Sequence, residues 1–298
     1  MKPICGVINV YKESGYTSHD VVAVLRKTLG VKKIGHAGTL DPDAQGVLIA
    51  CVGKATKIAS LLTADDKSYR ASVKLGVTTS TLDLSGEILS ETPVDIPYSD
   101  IEAAVLSFKG EYSQTPPMHS AIKQNGQKLY NLARKGVSVE RKPRNITIRD
   151  IKIVEVISAD TFTMDVTCSK GAYIRSLCDD IGQKLGCGAC MAALIRTRAG
   201  RFDVSDALTL GQIKELWGLG EIEKAIIPID HALSDICVKI SVTEDGVKRL
   251  LNGAPVSRTH ISACPRDDKP FFLIYRPDGA LTAICRREND VFKPLVTL

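Results

Sequence analysis

The stretch GHAGTLDPDAQG, residues 35–46, carries the most suggestive chemistry in the chain. Asp41 stands there between a Gly-Thr-Leu approach and Pro42, and a proline biases the residue before it toward extended backbone. Gly35, Gly38, Gly46 and, beyond the next strand, Gly53 allow close approach of another backbone or a ligand. A carboxylate held on such a loop can act as a nucleophile or a base. Taken alone, the loop reads more readily as turn chemistry, because Asp side chains in D-P-D segments bond their own backbone. Asp43 is the only second carboxylate nearby, so a glycosidase-like acid/base pair is poorly supported. A Mg²⁺ site on Asp41 and Asp43 would lack further oxygen ligands. Cys187 and Cys190 form a C-x-x-C with no second pair at zinc spacing, and no metal is expected.

The elements that must present Asp41 follow from hydrophobic period. Residues 4–10 read as a buried strand, and Thr17 or Ser18 can cap a helix whose stripe Val21, Val22, Val24, Leu25 and Leu29 ends at Gly30. The glycine-punctuated loop runs from Gly35 to Gly46, followed by a strand (VLIACV) and a helix from about Lys54 to Leu62. In SYRASVKLG the alternation puts Tyr69, Ala71, Val73 and Leu75 on one face of a strand. TLDLSG is a turn, and Ser99 is expected to cap the helix DIEAAVLSF. Strands ITIRDIKIVEVI and TFTMDVTCS precede a helix from about Tyr173 to Leu185. Strands outnumber helices and meet through short turns, so the fold class is α+β, a mixed, largely antiparallel sheet with flanking helices. Residues 1–236 form the main body and 237–298 a small β-rich unit with a capped helix and the turn PDG.

Within the main body, residues 114–145 are polar, basic and short of core residues apart from a small helix with Leu129, Tyr130 and Leu132. They read as an insertion that leaves the core and returns. The whole chain carries 39 Lys and Arg against 34 Asp and Glu, a formal +5, so the location of the charge matters more than its sum. Clusters at Lys32–Lys33, at Arg141, Lys142 and Arg144, and at Arg196, Arg198 and Arg201 can neutralise phosphates. Nine cysteines, odd in number and mostly in apolar surroundings, suggest buried reduced thiols. No signal layout or membrane-length apolar run is seen, and a cytoplasmic protein is expected.

Together these motifs resemble the TruB family, the bacterial synthases that make pseudouridine in the T arm of tRNA. The resemblance rests on GHAGTLDPDAQGVL, DDKSYRASVKLG, PPMHSAIKQNGQKLYNLARKG with VERKPR, and SKGAYIRSLCDDIGQKLGCGA, all in one order. It implies the pseudouridine synthase fold with a PUA-like C-terminal domain, and isomerisation of a uridine, position 55 of tRNA, by base flipping without a cofactor. It implies that Asp41 is the catalytic aspartate, Tyr69 the tyrosine that stacks on the uracil, and Arg175 the arginine that pairs with the aspartate. His36 matches a histidine that holds flipped nucleotides, while Tyr173 and Leu194 match positions lining the uridine pocket. Lys12 matches a lysine on the N-terminal strand. Lys12, Lys123 in the cationic insertion, and Arg196 are expected among the substrate contacts. The insertion, with Lys128, Arg134, Lys135, Arg141, Lys142 and Arg144, resembles the family's thumb-like element that closes on RNA. The partner implied is the T stem-loop of tRNA, with no membrane and no obligate protein partner.

Each implied role has a physical basis. The reaction breaks N1–C1′, turns the base and rejoins it through C5. Arg175 is expected to aim Asp41 and lower its pKa. Tyr69 offers a face for stacking and a phenol near the carbon that loses its proton. Taken singly, Tyr69, Tyr173 and Leu194 read as core, Arg175 as a surface arginine and His36 as a loop cap. Departures from the family pattern are Tyr11 and Glu13 for an acidic residue and a proline, Ser80 for aspartate and His119 for tyrosine. Cys190 and Ile195 stand for histidine and arginine.

Overall fold

A computed structural model describes residues 4–63, 65–120, 122–124, 126–133, 135–137, 139–262 and 269–298, without the side chains of 123, 124 and 128. The chain opens with β1 (Gly6–Lys12), α1 (Ser18–Leu29), β2 (Ile34–Ala37) and β3 (Gln45–Val52). A 3₁₀ turn and α2 (Ala59–Leu62) lead to β4 (Lys67–Leu75), the ribbon β5 (Val77–Thr79) and β6 (Ile88–Glu91), α3 (Tyr98–Leu106) and β7 (Gly110–Gln114). The insertion holds β8 (Lys123–Gln124), β9 (Gln127–Lys128) and α4 (Leu129–Ala133). The chain rejoins the body through β10 (Arg144–Ser158), β11 (Thr161–Cys168), α5 (Ile174–Leu185), β12 (Ala189–Ala199), β13 (Phe202–Asp203), α6 (Leu210–Gly218) and α7 (Ile229–Ala232).

Nine strands form one sheet in the order β1-β3-β12-β4-β11-β10-β7, with β2 on β3 and β13 on β12. All its pairings are antiparallel except β3 with β12. β1 and β3 are apolar on both faces because both faces are covered, which explains their unbroken hydrophobic runs. Ile8, Val10, Leu48, Ala50 and Val52 join Val21, Leu25, Leu177 and Ile181 of α1 and α5 in one core. Val7, Val47, Ile49 and Cys51 face the other way, against Leu62, Leu233, Leu273 and Ile284. The parallel junction needs Gly46. A Cβ there would sit 2.2 Å from the Arg196 carbonyl oxygen, and φ is +98°.

Residues 237–298 contribute β14 (Cys237–Ser241), α8 (Glu244–Leu251), β15 (Val256–Ser257), β16 (Phe271–Tyr275), β17 (Leu281–Glu288) and β18 (Val291–Thr297). Their sheet runs β14-β16-β17-β18-β15 and has its own core around Val247, Leu250, Phe272 and Phe292. Leu273 and Ile284 tie it to the back of β3.

Three local expectations are corrected. Residues 34–37 are strand paired to β3, so the loop spans only 38–44. Gly53–Ile58 is 3₁₀ and only Ala59–Leu62 is α-helical, a short run set by the β3 exit. α3 starts at Tyr98 after Pro97, with no side-chain cap, so Ser99 lies inside the helix. Among the described residues no helix is long and apolar enough to cross a membrane. Of the eight described cysteines seven are buried and none is disulfide-bonded, and burial pushes the thiols of Cys51, Cys168, Cys237 and Cys285 up to about 12.

Candidate active site

The 38–44 loop is fixed by buried groups on both sides. Ser18, at the start of α1, donates its hydroxyl to the Leu40 carbonyl (3.1 Å) and accepts from the Leu40 amide (2.9 Å). The Leu40 side chain is buried below it, and the Ala44 amide closes the turn on the Asp41 carbonyl at 3.1 Å. From the β1 side, the ammonium of Lys12 donates to the carbonyls of Pro42 (2.8 Å), Tyr16 (2.6 Å) and Glu13 (3.0 Å). From β12, Arg196 donates through Nε to Val47 O (2.7 Å), Nη2 to Gly38 O (3.1 Å) and Nη1 to Thr39 O (3.3 Å). Lys12 and Arg196 are 0% and 1% exposed. The sequence reading set both among substrate contacts. In the structure both are buried, with Lys12 tying Pro42 of the loop to Glu13 and Tyr16, and Arg196 tying Gly38 and Thr39 to Val47 of β3, because β1 and β12 carry their stems to the loop. Burial is the main cause that lowers the Lys12 pKa to about 8, against the raising effect of Asp43 and Asp41.

Asp41 extends from this loop to Arg175, whose Nε lies 3.0 Å from Oδ2. Arg175 is 6% exposed, not the surface residue its helix-start position suggests. Its other contacts are the Thr81 carbonyl from Nη1 (3.0 Å), the Asp83 carboxylate (3.5 Å) and the His119 carbonyl from Nη2 (2.8 Å). Asp83 is a second acid that the sequence reading took for turn chemistry. Its Oδ1 accepts from Thr81 Oγ1 at 2.6 Å and the Ser85 amide at 3.1 Å, while Oδ2 faces the guanidinium. The left-handed Leu82 (φ 62°) that aims it lies in TLDLSG, and that glycine-ended turn was the available signal.

The Asp41 pKa moves up rather than down. Burial is the largest influence and raises it, Arg175 opposes, and the like charge of Asp83 raises it again. The side chain keeps 43% of its surface open, so the carboxylate is reachable from outside while protein encloses its other sides. Arg175 therefore orients Asp41 and offsets part of the burial effect.

The aromatic and apolar partners come together through sheet register. Tyr69 on β4 stands opposite Arg196 on β12, and Leu194 stands opposite Ala71, so Tyr69, Ala71, Leu194 and Arg196 share one face. Tyr69 is 8% exposed, and burial raises its phenol's pKa, with Arg196 opposing. Tyr173 caps the start of α5 within electrostatic reach of Asp41 and Arg175, and burial raises its phenol too. His36 sits half-buried on β2. Its Nδ1 is buried without a hydrogen-bond partner, and burial, then Arg196, lowers its pKa. The side chain of Lys123 lies outside the described residues, as does Arg134.

Solved structures share this fold. The chain superposes with TM-score 0.73 and 29% identity on a chain from a Cbf5–Nop10–Gar1 complex, covering 94% of this chain and 78% of that one. It superposes with TM-score 0.71 and 26% identity on a chain from an H/ACA RNP bound to a substrate RNA containing 2′-deoxyuridine, covering 98% and 83%. Residues 26–174 match the model of the TruB family pseudouridylate synthase N-terminal domain. Residues 175–234 match that of the tRNA pseudouridylate synthase B C-terminal domain, a division that falls inside α5 of the single large sheet. The chain is 49% identical to a tRNA pseudouridine synthase B of Alkaliphilus oremlandii over 83% of its length and 81% of that protein's. It is 44% identical to one from Clostridium perfringens over 97% of both. Fold and relatives together define an RNA pseudouridine synthase, an isomerase. Within that class, the chain belongs to the TruB family.

Proposed function

We propose that this enzyme isomerises a uridine in the T arm of tRNA, position 55, to pseudouridine, with Asp41 as the nucleophile. The observation that carries the reading is the 3.0 Å Asp41–Arg175 pair on a clamped loop that keeps the carboxylate partly open. The relatives' name, tRNA pseudouridine synthase B, supports tRNA as the substrate. The flipped uridine stacks on Tyr69, with Leu194 and Tyr173 lining its pocket and His36 holding neighbouring nucleotides out of the helix. Asp41 attacks the nucleotide, the N1–C1′ bond breaks, the base turns and rejoins C1′ through C5, and the bond to Asp41 breaks again to free the carboxylate. The C5 proton then leaves while N1 takes one up, and the Tyr69 phenol assists this transfer. No step consumes an oxidant or reductant.

Residues 1–236 are the catalytic domain in this reading, with 114–145 as a cationic clamp whose Lys123 meets the stem-loop backbone. Residues 237–298 are a PUA-like RNA-binding domain working in the cytoplasm on the same tRNA. Purified protein incubated with unmodified tRNA, followed by pseudouridine mapping, tests the proposal. One new pseudouridine in the T loop is expected. Binding without any conversion would leave a non-catalytic RNA-binding protein instead.

A further inference from the structure

Gln114 occupies the point where the insertion departs from the sheet. It is the last residue of β7 and stands opposite Arg144, the first residue of β10, so the chain leaves and returns on one rung. Its side chain is 2% exposed and unrelated to the strand ladder. Both ends of its amide go to one residue. Oε1 accepts from the Tyr173 amide at 2.8 Å, and Nε2 donates to the Tyr173 carbonyl at 3.0 Å. Tyr173 is the N-cap of α5 and has no side-chain cap of its own. An N–H that needs an acceptor and a C=O that takes a donor leave the Gln114 amide one usable orientation.

The residues after Gln114 continue the same grip. Ser176 donates its hydroxyl to the Thr115 carbonyl at 2.9 Å, and Arg175 donates through Nη2 to the His119 carbonyl at 2.8 Å. Residues 114–119 thus follow the first turn of α5 through Tyr173, Arg175 and Ser176. The guanidinium of Arg175 is planar, so where Nη2 is held fixes where Nε points, and Nε faces Asp41.

We propose that Gln114 is a positioning residue for the Arg175–Asp41 pair, locking the root of the insertion to the helix turn that aims the guanidinium. The inference rests on the reading of Asp41 as the reacting group. A displacement of Arg175 by a fraction of an ångström tilts the carboxylate away from the nucleotide, which lowers kcat and leaves RNA affinity alone. A glutamine that merely filled the core would act on stability and leave kcat unchanged.

Two variants of the full chain test this by single-turnover tritium release from tRNA carrying 5-tritiated uridine, alongside tRNA affinity and thermal melting. Gln114→Met keeps the volume and removes both hydrogen bonds. Gln114→Glu keeps the acceptor but sets a carboxylate oxygen against the Tyr173 carbonyl, and protonation restores a donor there. Both are expected to lose about tenfold or more in kcat with tRNA affinity within about twofold of wild type. The Glu variant's activity relative to wild type should recover as pH falls. The proposal is overturned if either folded variant turns over at the wild-type rate, or if the loss lies in affinity alone. Asp41→Asn, run in parallel, separates the two claims. Turnover by that variant sinks the reading of the site, whereas an inactive Asp41→Asn beside fully active Gln114 variants sinks only the role of Gln114.

Discussion

Arg175→Met isolates the electrostatic part of the site. At the observed 3.0 Å contact the charge centres lie about 4 Å apart, worth about 4 kcal/mol at an effective dielectric of roughly 20. Asp41 keeps 43% of its side-chain surface open, so solvent screening reduces this to about 2 kcal/mol, or about 1.5 pH units. Burial and Asp83 already raise the Asp41 pKa in the wild type, and without Arg175 both act unopposed. If the carboxylate is the reactive form, activity is lost as pH falls through its pKa. The acid limb of kcat/KM should therefore begin above the ordinary carboxylate range and move up by about 1.5 units in the variant. Above that limb, loss of the charge-assisted hydrogen bond should still lower kcat by about ten- to a hundredfold. Single-turnover tritium release from about pH 5 to about pH 9 measures both. An acid limb in Arg175→Met that stays in place or moves down would refute the reasoning.

Tyr69→Phe keeps the buried ring and removes the phenol, so tRNA affinity should hold while kcat falls by about a hundredfold or more; equal loss of both in a binding and turnover comparison would argue against separate roles. Lys12→Met leaves three loop carbonyls without their donor and should destabilise the fold by about 2 to 4 kcal/mol in chemical denaturation. The Lys12 pKa is lowered to about 8 in the folded protein from 10.5, so between those values the unfolded chain binds more protons. Wild-type stability should accordingly rise relative to Lys12→Met across that window, by on the order of 3 kcal/mol at most, read from urea titrations at several pH values. Gly46→Ala places a methyl 2.2 Å from the Arg196 carbonyl oxygen at a φ of +98°. A drop in melting temperature of roughly 5 °C or more is expected, and an unchanged melting curve would mean the β3–β12 junction relaxes freely.

Period and punctuation made most of the frame legible. The alternation in β4 put Tyr69 on the buried face, and the cap at Thr17 and the stop at Gly30 bound α1 as the structure has it. Gln114 and Arg144 share one rung of the sheet, so both ends of the polar segment read as 114–145 are themselves strand residues. What stayed hidden depends on contacts between distant segments. Arg196 reads as part of a basic cluster, and no local pattern reveals that β12 and β1 bury it and Lys12 with carbonyl partners at the 38–44 loop. Asp83 looked like a turn former, which it also is. The lowering effect of Arg175 on Asp41 was legible in the motif, whereas the burial that outweighs it belongs to the assembled sheet. Gln114 lies in a polar stretch, and its pairing with Tyr173 exists only once α5 packs beside β7.

The central claim is tested most directly by Asp41→Asn. The amide matches the carboxylate in shape, and Arg175 retains Asp83, Thr81 and His119, so the variant should fold and bind tRNA like the wild type. The account predicts no tritium release from 5-tritiated uridine in tRNA bound to this variant under single-turnover conditions. Measurable pseudouridine formation by the tRNA-bound Asn variant would contradict it.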